Sequence, residues 1–307
     1  DGLRLDLAEL IDDTTLGMIT DVALELRPDC LLIAEPWSFR GHRMEGISEL
    51  GYTVWNDGYR NTMKGQSPDR PGFVFGGKAD KRVKAALAGS IVHEGGRLAA
   101  SELSLNYLES HDDHTFGDFV RLALGEIEHN EVTTRNKVRK ITGLALRIHK
   151  LAAATLFASR GPVMLAQGQC FGRAKVVGGR RGRLCGNSYD RPDATNHIDW
   201  QDRSQNPELV AWHSRWIALR KSMLLKAWEA GIEPFWLTSD RKAAIGYLLD
   251  AERPVAVLLN ADRNEPAHFN LGSGAWSPLA GGVDAEVRNS GVIVLNPVSA
   301  VMITGAA

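Results

Sequence analysis

Residues 1–35, DGLRLDLAELIDDTTLGMITDVALELRPDCLLIAE, hold the reading that decides the fold. LRLDLA at 3–8 has the composition of a short strand. Leu16, Ile19, Val22, Ala23 and Leu26 then recur at helical spacing across 14–26. Arg27-Pro28-Asp29 ends that helix, because the residue before a proline is pushed out of the helical region. CLLIA at 30–34 follows without polar alternation, as expected of a parallel strand covered on both faces. Strand, helix and strand in this order make a βαβ unit.

The same rhythm recurs downstream. Leu103–Leu108 reads as a strand, and Val138–Phe157 places Val138, Ile141, Leu144, Ala145, Ile148, Leu151 and Ala152 on one helical face. Gly161-Pro162 stops that helix and PVMLAQG begins another strand. Between these units, Tyr52–Trp55 suits a strand and Lys78–Ala88 a helix, and a further helix is expected over Pro207–Ser222. Beyond residue 235 the runs AAIGYLL, VAVLLN, AHFNL, GVIVLN and AVMIT, separated by turn residues, read as a small antiparallel β domain. The expectation is an α/β chain with parallel strands over 1–230 and an all-β domain over 235–307.

Composition excludes little. A net charge of -1 gives no global field toward nucleic acid or an anionic membrane. The basic run GRRGR at 179–183 has glycine beside it and no interleaved aromatics, so it reads as a solvated loop. No apolar run approaches the roughly 20 residues of a membrane span, and no signal peptide opens the chain. The abrupt DGLRLDLAEL start reads as a strand in mid-fold, so the N-terminus is expected to be missing and the compartment is left open. Cys30, Cys170 and Cys185 are three in number and widely spaced, which suits free thiols.

Asp6, Glu35 and Asp112 stand at the C-terminal ends of expected strands. In a (β/α) barrel that rim gathers catalytic groups, because successive strands aim side chains at one point. Singly, each residue is better explained by a cap or an ion pair, and the case rests on the set. Arg4 projects to the same strand face as Asp6, two residues away, where its guanidinium can hold that carboxyl charged; a structural ion pair has the same geometry. A metal site from His111, Asp112, Asp113 and His114 is disfavoured, since consecutive strand residues point to opposite faces. No cofactor is recognisable, and calcium is left open because no ligand set can be seen.

DGLRLD at 1–6, AEPW at 34–37 and SHDD at 110–113 resemble the second, third and fourth sequence regions of glycoside hydrolase family 13, in that family's order. WNDGYRN at 55–61 resembles the WNDRFRD-type segment of pullulanase-type debranching enzymes, and NSYDRPDATNHIDW at 187–200 is similar to their segment after the eighth strand. The resemblance implies a C-terminal portion of such an enzyme: a partial (β/α)8 barrel, about strands four to eight, followed by a small antiparallel β-sandwich. It implies Asp6 as nucleophile, Glu35 as general acid/base and Asp112 as the carboxylate that stabilises the transition state. Arg4 and His111 would support them, and Asn187, Tyr189 and Asp193 would line the sugar site; Trp37, just after Glu35, reads equally as a sugar-stacking platform and as an apolar rim residue. The implied reaction is retaining hydrolysis of α-1,6 linkages, with α-1,4 also in view, in pullulan, limit dextrin or glycogen. The alternatives are an isoamylase-type glycogen debranching enzyme and an inactive or carbohydrate-binding fragment.

Three departures accompany the match. The third-strand motif of the family has no counterpart, because the sequence opens at the strand-four motif. Cys170 stands where the eighth-strand segment usually has a glutamate, and Gly58 and Asn61 replace residues usual in WNDRFRD.

Overall fold

The computed structural model describes residues 1–178, 182–191 and 193–306, so residues 179–181 of the basic run lie outside the described residues, as does Pro192. β1 (Gly2–Leu5), β2 (Leu31–Ala34), β3 (Thr53–Trp55) and β6 (Ser104–Leu105) form a four-stranded sheet in that order, with every pairing parallel. α1 (Asp13–Leu26) connects the first two strands, and its N-cap Asp12 accepts a hydrogen bond from Thr15 N at 2.9 Å. The βαβ unit expected from residues 1–35 is therefore present. β1 is shorter than LRLDLA suggested, because Leu7 adopts a left-handed φ of 43° and turns the chain into a 3-10 turn at Ala8–Leu10. That turn leaves Asp6 just beyond the strand end.

α2 (Met44–Glu49) precedes β3, and α3 (Asp57–Met63), the hairpin of β4 (Gly65–Ser67) and β5 (Arg70–Pro71), and α4 (Lys81–Leu87) lead to β6. Asp80 caps α4 by accepting from the Arg82 and Val83 amides. The strand expected at Leu103–Leu108 is confined to two residues, and PVMLAQG contributes only a parallel bridge, Asn106 to Val163, at the open edge of β6. The helix expected over Val138–Phe157 is interrupted: α6 (Arg135–Val138) and α7 (Gly143–Ala158) are separate, with α5 (Phe116–Ala123) before them.

A ribbon of β7 (Val176–Val177) and β8 (Arg183–Leu184) is followed by α8 (Asp193–Asn196), α9 (Trp200–Gln205) and α10 (Pro207–Leu219). α10 continues through a π-turn at Arg220–Leu224 into α11 (Leu225–Glu229). The C-terminal residues then form two antiparallel sheets. One has order β13-β16-β11-β10-β9, from β9 (Phe235–Leu237), β10 (Ala244–Leu249), β11 (Val255–Asn260), β13 (Trp276–Ala280) and β16 (Ser299–Gly305). The other has order β12-β15-β14, from β12 (Ala267–Asn270), β14 (Ala285–Val287) and β15 (Val292–Leu295).

Ala256, Leu258, Val301 and Ile303 meet Phe269, Ile293 and Leu295 between these sheets. On the other face of the larger sheet, Tyr247, Val257, Leu259 and Met302 join the main core with Ile148, Leu151 and Trp216. Burial on both faces is why VAVLLN shows no polar alternation despite lying in an antiparallel sheet. Among the described residues no helix is long and apolar enough to cross a membrane.

Candidate active site

The ends of β1 and β2 are laced together by backbone bonds, Glu35 N to Leu5 O at 3.0 Å and Ala8 N to Glu35 O at 2.9 Å. This brings the Glu35 side chain beneath the β1 turn, where it is almost wholly buried and its Oε2 accepts from Leu7 N at 3.2 Å. Arg4 bridges the two acids. One guanidinium nitrogen pairs with Asp6 and the other donates to Glu35 Oε2 at 3.0 Å. The guanidinium carbon also lies 4.6 Å from the centre of the Trp55 ring, a cation–π contact.

The two carboxyls are displaced in opposite directions. Burial works against ionising Asp6, but hydrogen bonding with Glu35 and Arg4, and the charge of Arg4, outweigh it and hold Asp6 below the usual carboxylate range. Burial raises Glu35; the Leu7 amide and Arg4 oppose it, and the neighbouring Asp6 adds to it. A low and a high carboxyl side by side are the protonation states that acid and nucleophile need in one site.

Asp112 lies on the loop after β6 and is half-buried, with its Oδ1 3.5 Å from His111 Nε2. His111 reaches toward the same pair: its ring centre is 5.7 Å from that of Trp55, and its charge acts on Asp6. Residues 111–114 are not in a strand, so the alternation that argued against a metal there does not apply. The side chains diverge all the same. Asp113 has a left-handed φ of 59° and its carboxylate lies 3.8 Å from Arg60, whereas His114 packs on Gly186. Among the described residues no three histidine, cysteine, aspartate or glutamate side chains are grouped to hold a metal ion.

Trp37 sits between aromatic neighbours, stacked on His42 at 6.0 Å and tilted against Trp55 at 6.2 Å. Tyr189 is exposed and lines a cavity of about 280 Å³ with His111, Glu109, Arg173 and Lys175. Asn187 is elsewhere, lining a separate cavity with His114 and Arg183, and its carbonyl accepts from Cys185 Sγ at 3.1 Å. Asp193 is exposed at the start of α8, and its backbone carbonyl accepts from His197 N. The structure thus gathers Arg4, Asp6, Glu35, Trp37, His111 and Asp112 on one rim, with Tyr189 beside them. Neither Asn187 nor Asp193 makes contact with the carboxylates.

Sequence reasoning missed Trp55, Tyr107, Glu109 and Lys175. Tyr107 is wholly buried beside Trp55, with ring centres 5.5 Å apart. Glu109 is buried, accepts from Phe116 N at 2.8 Å, and is pushed by that burial up to about 7. An acid at a strand end was the available signal for Glu109, but Asp112 absorbed it. Cys170 is part-buried in a 3-10 turn, and its burial raises the thiol's pKa, so it stands as a neutral group where the family usually has an acid.

The folded chain holds a proton on Glu109 that the unfolded chain releases above its ordinary value of 4.5. The contribution of Glu109 to stability is therefore expected to fall as pH rises from about 4.5 through 7, by about 3 kcal/mol at most, while the part-buried His114 and the buried His213, each held down to about 4, contribute in the opposite sense. Asp118, pushed by burial up to about 6, adds in the same direction as Glu109. The test is the difference in denaturant midpoint between the parent and Glu109→Gln from pH 4.5 to 8: the parent is expected to lose stability relative to the variant as pH rises, and a constant difference removes Glu109 from the pH dependence.

No family model matches the chain. A pullulanase of Bacillus subtilis is 30% identical over 243 residues, covering 72% of this chain and 30% of the relative. A glycogen debranching enzyme of Yersinia pestis is 30% identical over 130 residues, covering 39% of this chain and 18% of the relative. Among solved structures, the pullulanase of Paenibacillus barengoltzii in complex with maltohexaose and α-cyclodextrin superposes with a TM-score of 0.80 at 26% identity, covering 99% of this chain and 48% of that one. The pullulanase of Bacillus acidopullulyticus, at 22% identity and a TM-score of 0.76, shares the fold over 99% of this chain and 38% of that one.

The order of a parallel sheet followed by antiparallel sheets is an α/β architecture that these pullulanases share. The chain is homologous to the pullulanase-type debranching enzymes of glycoside hydrolase family 13. It spans less than half the length of the relatives it matches.

Proposed function

We propose that the protein is a retaining glycoside hydrolase that cleaves α-1,6-glucosidic branch linkages in an α-glucan such as pullulan, limit dextrin or glycogen. Protonated Glu35 gives its proton to the glycosidic oxygen while an Asp6 oxygen attacks the anomeric carbon, and the bond to the leaving sugar breaks. Glu35, now ionised, takes a proton from water as that water displaces Asp6. Asp112 and His111 hold sugar hydroxyls, and Trp37, beside Trp55, offers an apolar face to the ring.

The observation that carries this reading is the Arg4-bridged pair, with Asp6 held low and Glu35 held high. Retention is supported by the closeness of the two carboxyls. Both contact one guanidinium and lie within hydrogen-bonding reach of each other, whereas inversion needs roughly 6.5–9.5 Å for an intervening water. The α-glucan substrate is supported by the maltooligosaccharide complexes of the relatives. The decisive assay is reducing-sugar release from pullulan and from glycogen by the full-length protein. Release from neither sinks the proposal, and preference for glycogen selects the isoamylase-type reading.

We further read 1–230 as part of a (β/α)8 barrel, about strands four to eight, and 235–307 as its all-β companion. The support is the parallel order β1-β2-β3-β6, extended by the bridge to Val163. Exposed Leu3, Met18, Val22, Leu26 and Leu31 along β1, β2 and α1 mark an uncovered apolar side. The 307-residue chain alone is expected to self-associate through it. Sedimentation showing a stable monomer at micromolar concentration counts against the partial barrel.

A further inference from the structure

Three backbone carbonyls converge on one ammonium beneath the loop that carries Asp112. Lys175 Nζ donates to Asp113 O at 2.6 Å, to Gly186 O at 2.8 Å and, at longer range, to His111 O at 3.4 Å. An ammonium has three donors and no acceptor, so these carbonyls use its full capacity. Lys175 as a residue is only 3% exposed, and burying an ammonium is tolerated where such dipoles replace its water.

The lysine is itself anchored. Its backbone N donates to Asp118 Oδ2 at 2.8 Å, and its carbonyl accepts from Cys185 N at 2.8 Å. The loop above it has no regular structure of its own over residues 109–114. Asp113 holds a left-handed φ of 59°, a conformation that is strained for a residue with a Cβ and persists where neighbours enforce it. Two groups enforce it: Arg60 faces the Asp113 carboxylate and Lys175 takes the Asp113 carbonyl. Glu109, by accepting from Phe116 N, closes the loop at its base.

We propose that Lys175 is the positioning residue for Asp112, its ammonium gripping the carbonyls of His111 and Asp113 on either side of that carboxylate and the carbonyl of Gly186 beyond. Without the ammonium, Asp113 keeps only the longer Arg60 contact at 3.8 Å to hold its left-handed turn, and Asp112 leaves the rim it shares with Glu35 and Asp6. This rests on the reading of Asp112 as a catalytic carboxylate. Lys175 touches no reacting atom, so its removal affects how often the site is assembled rather than how sugar binds at a distance.

The test is made in the full-length protein with pullulan, comparing Lys175→Met, Lys175→Ala and Asp112→Asn. Lys175→Met keeps the length of the stem and removes the donors. The expected result is a kcat lower by about 10- to 100-fold with KM within threefold of the parent, since a misplacement of about 1 Å can cost 10²-fold. Lys175→Ala is expected to recover part of its kcat, saturably, with ethylammonium and not with tetramethylammonium, which has no N–H. A low kcat that ethylammonium leaves unmoved assigns the loss to general structure and overturns the proposal. Should Lys175→Met fail to fold, the ethylammonium response of Lys175→Ala decides alone. An inactive Asp112→Asn beside Lys175→Met of parental kcat overturns the positioning role only. An Asp112→Asn of parental activity removes Asp112 from catalysis and overturns both.

Discussion

Asp6→Asn in the full-length protein is expected to lower kcat on pullulan by about 10⁴-fold or more, which is about 5.5 kcal/mol of transition-state stabilisation. Asparagine matches aspartate in shape and can still accept from Arg4, so the loss would report missing nucleophilicity rather than a collapsed site. The assignment of roles can be read from azide products. With Asp6→Ala, azide enters the space the nucleophile leaves and attacks the anomeric carbon directly, so the configuration inverts. With Glu35→Ala and an aryl glucoside whose leaving group needs no proton, Asp6 still forms the glycosyl-enzyme. Azide then displaces Asp6 and the configuration is retained. The opposite pair of configurations would exchange the roles of the two acids. A parental rate for Asp6→Asn would remove the hydrolase reading altogether.

The acids were legible as candidates because they stand in short contiguous motifs, as in RLDLA, LIAEP and SHDDH, and their proposed roles are those that the family resemblance implies. Much of the fold was legible for a similar reason: apolar periodicity reports βαβ order directly. What it could not report was where polar side chains fasten or replace the backbone ladder. Past Leu105 the chain turns to its other neighbour, Asn106 N donating to Pro162 O and its carbonyl accepting from Met164 N, both at 2.9 Å, while side-chain bonds fasten the same stretch, Asn56 Nδ2 to Ser104 Oγ and Asn106 Nδ2 to Arg160 O, both at 2.8 Å. The helix expected over 138–157 breaks because Asn206 takes over its backbone, accepting from Ile141 N at 2.9 Å and donating to Arg139 O at 2.8 Å. Those partners lie more than 60 residues away, beyond any local pattern. The partners of Glu109 and Lys175 were invisible on the same ground. Nothing in NYLES or FGRAK says that one acid will be buried against an amide, or that one lysine will gather three carbonyls.

Arg4→Met carries the second large effect, and its signature is in pH rather than in rate alone. The active form needs Asp6 ionised and Glu35 protonated, so it occupies the window above the Asp6 pKa and below that of Glu35. Burial opposes ionisation of Asp6, and Arg4 is one of the groups that overcome it, through a hydrogen bond and through charge. Removing Arg4 therefore raises Asp6, and the acid limb of kcat/KM moves to higher pH. Glu35 is raised chiefly by its burial, and Arg4 works against that rise, so its pKa also climbs and the alkaline limb follows. The acid limb is expected to move further, since Asp6 loses an ion pair and a hydrogen bond together. At pH values where Asp6 then becomes protonated, kcat/KM is expected to fall by up to about tenfold, the scale of opening a solvent-exposed ion pair. Arg4→Lys falls between, because one ammonium cannot reach both carboxylates with the fixed fork of a guanidinium and stacks less well on Trp55. If Arg4 were only a structural partner, Arg4→Met would lower the thermal midpoint and leave both limbs in place. That outcome would dissolve the link between the Arg4 bridge and the division of labour between Asp6 and Glu35.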